Sequence, residues 1–575
     1  MGRAGVDQLS PPAPADERPA PAGTAVHLGV LGMYLALALW VTGPLWSAPG
    51  AVDPAANTAD PAFFEAALLH AARIFTHGEN PFLTPMVNAP LGVNMLANTG
   101  LLGLTVPLVP VTLLFGPAVA LDLLLTLGLA ATAAGWYAVL CRHVTRSRLA
   151  AAVGGGFAGF APGLVNHTNA HPNLVAQFLI PFIVWGALSM RTVRQGVLVG
   201  LLVTGQALIN EELLFFAALA LVVFVAGYAA SRPGEVRGAA RGFLTALVAA
   251  VLVAAVLLAY PLIVQFAGPQ HYRGLPDFVR GYGTDLASYP AFPKLSLAHG
   301  AGTLAPQPEE NTFFGWPLLL VLLATVVWLW RRPAVRALAL VGVLFGALSL
   351  GPHVVYHGHE VLGHAPWRLV GGLPLFDNVV PIRLGLVLIP VVAVLLALAV
   401  DAAVAAHRLW LLVPLVALLP LFPARLPVTP RPPVPAFFTD GTWRRYVAGD
   451  QSVVSADQTV WYGGIVAMRW DNATRLGYRM VGGYFLGPDA GGRGGYGTVP
   501  RPTAALLEGV AYNGGVPVVG PAERAAAAAD VRYWRAAVVV LAPDAPHADD
   551  LHNTVNLLFG PGRMVSDVWL WDVRS

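Results

Sequence analysis

Charge is what this chain has least of. Asp, Glu, Lys and Arg make up 11% of its 575 residues, where a soluble globular chain carries about 25%. Lysine is reduced to Lys294, so nearly every cation is an arginine. Cysteine is reduced to Cys141, which excludes an intrachain disulfide and any cysteine-cluster metal site. The net charge of +3 comes without a basic stripe, which argues against nucleic acid as a partner. With 56% hydrophobic residues and a mean hydropathy of +0.63, residues 25–423 must turn most of their surface to lipid.

Apolar runs long enough for a helix to cross ~30 Å of hydrocarbon follow one another. They lie near 25–47, 117–141, 149–165, 173–190, 195–210, 212–230, 241–266, 313–330, 336–352, 379–404 and 407–423. The first is too long for a signal-peptide core and is followed by further spans, so it reads as a membrane helix. The Pro/Ala-rich residues 1–24 before it read as a disordered tail. Arginines cluster at Arg142, Arg146 and Arg148, at Arg191 and Arg194, at Arg232, Arg237 and Arg241, at Arg331, Arg332 and Arg336, and at Arg408. Such clusters mark cytoplasmic loops. The N-terminus and Cys141 then lie toward the cytoplasm, and loops 48–116, 267–312 and 353–378 face outward with the C-terminal residues.

Two stretches need separate treatment. Residues 100–115 are apolar but short and carry Pro107 and Pro110. A crossing there would flip every later loop, so they read as an interfacial or re-entrant helix on the outer side. A single helix over 197–230 would be about 50 Å long, more than a bilayer needs. The break at Asn210-Glu211-Glu212 therefore predicts a tight hairpin with both carboxylates at its outer tip.

The outer segments hold the candidate groups. In 48–98, Asp60-Pro61 stands before a helix-like run, which suits Asp60 as an N-cap whose carboxylate the helix dipole keeps ionised. Loop 267–312 offers Tyr272, Tyr282, Tyr289 and Trp316 with Arg273, Asp277, Arg280 and Asp285, a mixture that suits a carbohydrate surface or an interfacial aromatic belt. Loop 353–378 holds His353, His357, His359, Glu360 and His364, at spacings that fit no metal-ligand template. Arg383 stands just inside the next span behind Pro381, placed to snorkel or to bind a lipid phosphate.

The character changes after Pro423. Residues 424–435 form a Pro-rich linker, and 436–575 read as a small soluble α/β domain outside the membrane. Strands are expected at Gln451–Ser455, Gly464–Arg469, Met480–Leu486, Ala537–Leu541 and Met564–Asp572, with helices at Thr503–Ala511 and Glu523–Ala536. The Gly-rich 487–497 lacks the Lys-Ser/Thr end of a P-loop and reads as a flexible loop. The expected fold is thus mainly α, a polytopic bundle of about 11 spans with a small C-terminal α/β domain.

Several stretches together resemble the GT-C superfamily of polytopic glycosyltransferases, and more closely its large actinobacterial multispanning members. They are Asp60-Pro61, Asn80-Pro81-Phe82, Ala89-Pro90-Leu91-Gly92-Val93-Asn94 and Leu114-Phe115-Gly116-Pro117. Further along come Gly159-Phe160-Ala161-Pro162 with His167 and His171, Asn210-Glu211-Glu212, Glu310-Asn311 before Gly315-Trp316-Pro317, and Pro381-Ile382-Arg383. The resemblance implies a polyprenyl-phosphate sugar donor, a glycan or lipid acceptor, and a site on the outer face of the cytoplasmic membrane. It implies that Asp60 is the catalytic base, with Asp53 and Glu65 its nearest acidic companions. An acceptor hydroxyl loses a proton as it attacks the anomeric carbon, and a carboxylate in reach can take it. The lipid phosphate leaves against Arg383, Arg273 or a divalent cation. Glu211, Glu212 or Glu310 would orient sugar hydroxyls, and His167 and His171 would touch the donor phosphate. Two other readings compete: a transporter or flippase for a lipid-linked or small solute, and a non-catalytic envelope-assembly protein. A transporter should show an internal repeat, and none is evident.

Overall fold

The structure is a computed structural model describing residues 23–99, 101–299 and 307–574. The tail expected at 1–24 lies almost wholly outside the described residues. The chain forms two compact units, each discontinuous in sequence. One comprises Met1–Ala48, Asp122–Ala259 and Asp277–Val428, the other Pro49–Leu121, Tyr260–Pro276 and Thr429–Ser575.

Among the described residues, seven helices are long and apolar enough to cross a membrane. They are Thr24–Trp46, Pro117–His143, Arg148–His167, Pro172–Ser189, Glu211–Ser231, Pro233–Ala267 and Pro381–Ala406. Each coincides with an expected run. The other four runs are helical but shorter: Val193–Ala207, Trp316–Trp328, Pro333–Ser349 and Arg408–Leu421. The predicted hairpin is present, since Val193–Ala207 ends and Asn210 accepts the Leu213 N–H at 2.9 Å to start Glu211–Ser231. Residues 102–115 hold only the short helices Leu102–Thr105 and Val109–Phe115, neither able to span.

The first unit is a helical bundle held by small-residue contacts. Gly159 packs so closely on the Pro117–His143 helix that an added Cβ would sit 2.5 Å from the Cβ of Ala133. In lipid, such backbone approach replaces the hydrophobic drive that water provides. The Arg148–His167 segment breaks at Ala161, whose ψ of 153° is extended. Pro162 follows, and a residue before proline is pushed out of the α region.

The second unit is built on a five-stranded sheet in the order Arg563–Val565, Val568–Asp572, Ala536–Leu541, Ser452–Ser455, Arg479–Met480. Ala536–Leu541 and Ser452–Ser455 are parallel, while Val568–Asp572 is antiparallel to Ala536–Leu541. Every residue of Ala536–Leu541 is buried, so both faces of the sheet are covered. Val538 and Val540 join Ala62, Ala66 and Leu69 of helix Asp60–His77 on one face. Val539 and Leu541 join Leu507, Val510, Leu551 and Val555 on the other. The period-2 alternation of a strand produces this division.

Four expectations fail here: Met480–Leu486 is strand only at its ends, in Arg479–Met480 and Leu486–Pro488, and Met564–Asp572 is not one strand but the antiparallel pair Arg563–Val565 and Val568–Asp572. Gly464–Arg469 is not a strand but the start of helix Ile465–Ala473, which is buried on nearly every side. A short run apolar all round shows no periodicity that would separate helix from strand. Nor is 487–497 a flexible loop. Leu486–Pro488 and Gly494–Tyr496 pair as an antiparallel hairpin, and the Asp489 carboxylate closes its turn by accepting the Gly491 and Arg493 N–H groups, each at 2.8 Å.

Candidate functional site

In the second unit, Asp60 is the first residue of helix Asp60–His77 rather than its N-cap. Asn57 does the capping work, its Oδ1 accepting the Ala59 and Asp60 N–H groups at 3.2 Å. The Asp60 carboxylate is half-buried and lies in the first turn, where the helix dipole favours negative charge. Its Oδ2 accepts from Asn57 Nδ2 at 2.7 Å and its Oδ1 from the Tyr484 hydroxyl at 2.8 Å. Burial pushes the Tyr484 phenol far up, and the Asp60 charge adds to this, so Tyr484 stays protonated as a donor. Its ring stacks on Tyr496 at 5.6 Å between centroids, and Trp461 meets both.

Asp53 and Glu65 are not partners of Asp60. Asp53 is buried between Arg431 Nε at 2.8 Å and Arg469 Nη2 at 2.5 Å, and Glu65 receives Arg431 Nη2 at 2.6 Å. A cluster of this kind fixes the unit, because removing one partner strands a buried charge. Arg273 also belongs to this unit. Its N–H donates to Gly492 O at 3.1 Å beside the Gly-rich hairpin, and its side chain is exposed.

In the first unit, the sequence-predicted Glu212, Arg383, His167 and His171 join one buried network. Arg383 donates from Nε to Glu309 at 2.7 Å and from Nη1 to Glu212 at 3.1 Å. His167 donates from Nε2 to Asn311 Oδ1 at 3.0 Å, and its Nδ1 lies 3.0 Å from His171 Nδ1. Asn311 in turn donates to Glu309 at 2.8 Å and to Ile382 O at 3.3 Å. Burial raises the Glu309 carboxyl, but Arg383 foremost, with His167 and His171, outweighs it and holds the group at about 2. Gly163 and Gly385 make room for this segment: a Cβ on Gly163 would lie 2.9 Å from Asn311 Oδ1, and one on Gly385 would lie 2.7 Å from Thr312 Cγ2. Pro381 sets a 3-10 turn, Pro381–Val387, ahead of helix Leu388–Ala406, and Arg383 projects from that turn.

Sequence reasoning missed Glu309 and named Asn311 only within the Glu310-Asn311 stretch, without a role. It chose Glu310, whose carboxylate instead accepts the Lys294 N–H at 2.9 Å and is pushed up by burial. Glu211 lies half-buried in the first turn of its helix. The aromatic loop is also more structural than its composition suggests. Tyr272 donates its hydroxyl to Ala97 O and Tyr289 to Gly346 O, while Asp285 accepts the His357 and Gly358 N–H groups of the 354–362 hairpin.

Among the described residues no three His, Cys, Asp or Glu side chains converge as metal ligands do, the His-rich loop included. The first unit encloses an apolar cavity of about 140 Å³ walled by Trp136, Trp185, Phe216, Phe224, Leu338 and Val391.

No curated protein matches the chain. Among solved structures it is similar to the arabinofuranosyltransferase AftD from Mycobacteria, with a TM-score of 0.55 at 14% identity over 97% of this chain and 42% of that one. It is also similar to the oligosaccharyltransferase AglB of Archaeoglobus fulgidus, solved with an inhibitory peptide and a dolichol-phosphate (TM-score 0.45, 12% identity, 90% of this chain and 69% of that one). Against the apo form of the Archaeoglobus fulgidus oligosaccharyltransferase the TM-score is 0.42 at 13% identity, over 79% of this chain and 64% of that one. The chain thus spans less than two thirds of the apo archaeal enzyme and under half of the mycobacterial one. AftD is a GT-C glycosyltransferase, and its likeness gives this chain the GT-C fold. The model of one protein family, a domain of unknown function (DUF6311), matches residues 62–376, more than half of the 575 residues, and the chain belongs to that family.

Proposed function

We propose that the chain is a membrane glycosyltransferase. It moves a sugar from a polyprenyl-phosphate donor to a cell-envelope acceptor, glycan or lipid, on the outer face of the cytoplasmic membrane. The acceptor hydroxyl attacks the anomeric carbon from the side opposite the phosphate. The new C–O bond forms as the bond to the phosphate oxygen breaks, the configuration inverts, and the proton passes to Asp60. The polyprenyl phosphate leaves with the bonding electron pair.

The observation that carries this reading is the Asp60 carboxylate, held by a donor on each oxygen at the start of a helix that follows the first membrane helix. Both donors favour the ionised form that a base needs. Of the two arginines that the sequence offered for the phosphate, Arg273 is exposed and Arg383 is already committed to two carboxylates. We therefore assign Arg273 to the leaving phosphate. The Glu212–Arg383–Glu309–His167 network then positions helix ends rather than binding substrate.

The test supplies radiolabelled polyprenyl-phosphate sugars to membranes containing the wild type or Asp60→Asn. Label enters the acceptor with the wild type only, while the variant remains folded in the membrane. Equal transfer by the two removes Asp60 from the mechanism.

A further inference from the structure

A turn in the second unit displays aromatic side chains in a way that packing does not require. After strand Ser452–Ser455, Asp457 Oδ1 accepts the N–H of Thr459 at 2.9 Å and its hydroxyl at 2.6 Å. Thr459 Oγ1 accepts the Gly463 N–H at 2.9 Å, which closes a π-turn over Val460–Gly464. A Cβ on Gly463 would lie 2.2 Å from Asp457 O, so only glycine allows the closure. The turn pushes Trp461 and Tyr462 outward, 48% and 41% exposed. Such π-turns are rare and recur at functional sites.

The Gly-rich hairpin completes the arrangement. Gly497, at φ +77°, lets the hairpin lie against Val460, where a Cβ would meet Cγ2 at 2.7 Å. Tyr496 at the hairpin's end reaches Trp461 at 4.5 Å between ring centroids. Tyr484 stacks on Tyr496 and lies 5.5 Å from Trp461. Three rings therefore run without a gap from an exposed indole to a phenol that donates to Asp60.

We propose that Trp461 and Tyr496 form a stacking platform for a sugar ring of the acceptor glycan, leading to the Asp60–Tyr484 pair. The role in transfer rests on the glycosyltransferase reading above; the binding does not. Aromatic faces pack on the C–H faces of sugar rings, and the Asp60 carboxylate at the end of the ring run can take up a ring hydroxyl. Tyr484 stacks on Tyr496, Trp461 lies tilted against both, and Tyr484 alone bonds the Asp60 carboxylate. The platform commits the acceptor to a carbohydrate rather than a lipid.

The experiment uses the full chain in phospholipid nanodiscs and reads saturation-transfer NMR from three neutral hexasaccharides, of arabinofuranose, galactofuranose and mannose. The wild type binds at least one of them. Trp461→Ala weakens that binding by about tenfold or more, while Trp461→Phe, which keeps an aromatic face, stays within about threefold. Thermal unfolding of each variant checks that it remains folded. Failure of all three hexasaccharides to bind the wild type overturns the platform, as does undiminished binding by folded Trp461→Ala. Ring-dependent binding without transfer from any donor supports the platform and rejects the transferase reading.

Discussion

Tyr484 donates its phenol to the carboxylate of Asp60 at 2.8 Å, although 424 residues separate them in the chain. The acid from the first long polar segment is thus held by a side chain reached only after the long apolar helices of the described residues. A hydrogen bond to a carboxylate favours its charged form. Tyr484→Phe should therefore lower transfer about tenfold and move the acid limb of kcat/KM toward higher pH. Tyr484 itself contributes no limb, since burial and Asp60 keep its phenol protonated. Profiles taken between pH 4 and 8 decide the matter, and an unmoved acid limb counts against Asp60 as the base.

The Arg383 network should behave as a structural device. Arg383→Met leaves Glu309 and Glu212 without their shared guanidinium and should cost about 3–5 kcal/mol of stability. Adding Glu309→Gln to that variant removes one of the two orphaned charges and should recover part of the loss. Thermal unfolding in detergent of the single and double variants measures both steps. A double variant as unstable as the sum of its parts would deny the coupling.

The same network sets a pH expectation. Glu309 is held at about 2 in the folded chain, against about 4.3 for an unperturbed glutamate. Its depressed value stabilises the fold fully above about pH 4.3, and that contribution is lost as pH falls through about 2. The thermal midpoint should show no loss from this group between pH 5 and 8 and a decline below about pH 4. Glu309→Gln should flatten that decline.

Gly163→Ala probes close approach alone. The added methyl would lie 2.9 Å from Asn311 Oδ1 and 3.1 Å from its Cα. Asn311 has to shift, weakening its bonds to His167 and Glu309, at a cost of about 1–3 kcal/mol. A midpoint equal to the wild type would mean that the 309–312 segment yields freely.

Long apolar runs and arginine clusters made the helices legible, because a bilayer imposes length and polarity on any chain that crosses it. Four members of the buried network were legible too, since ionisable residues at helix ends stand out in an apolar sequence. Glu309 was not. Glu309 and Glu310 are neighbours in an irregular loop, and no periodicity says which carboxylate turns inward. The fate of Asp53 was equally hidden, since its partner Arg469 lies 416 residues away. Asp60 was read as its helix's cap rather than its first residue, because the Asn57 side chain that displaces it from that role acts from three residues back. The strand expected at Gly464–Arg469 failed because a helix buried all round looks like a buried strand.

The pairing of Asp53 with Arg431 and Arg469 has a consequence for folding order. Asp53 and Glu65 meet their buried counter-charges only after Arg431 and Arg469 have been synthesised, several hundred residues later. The unit of residues 49–121, 260–276 and 429–575 therefore closes through contacts of high sequence separation, which form slowly.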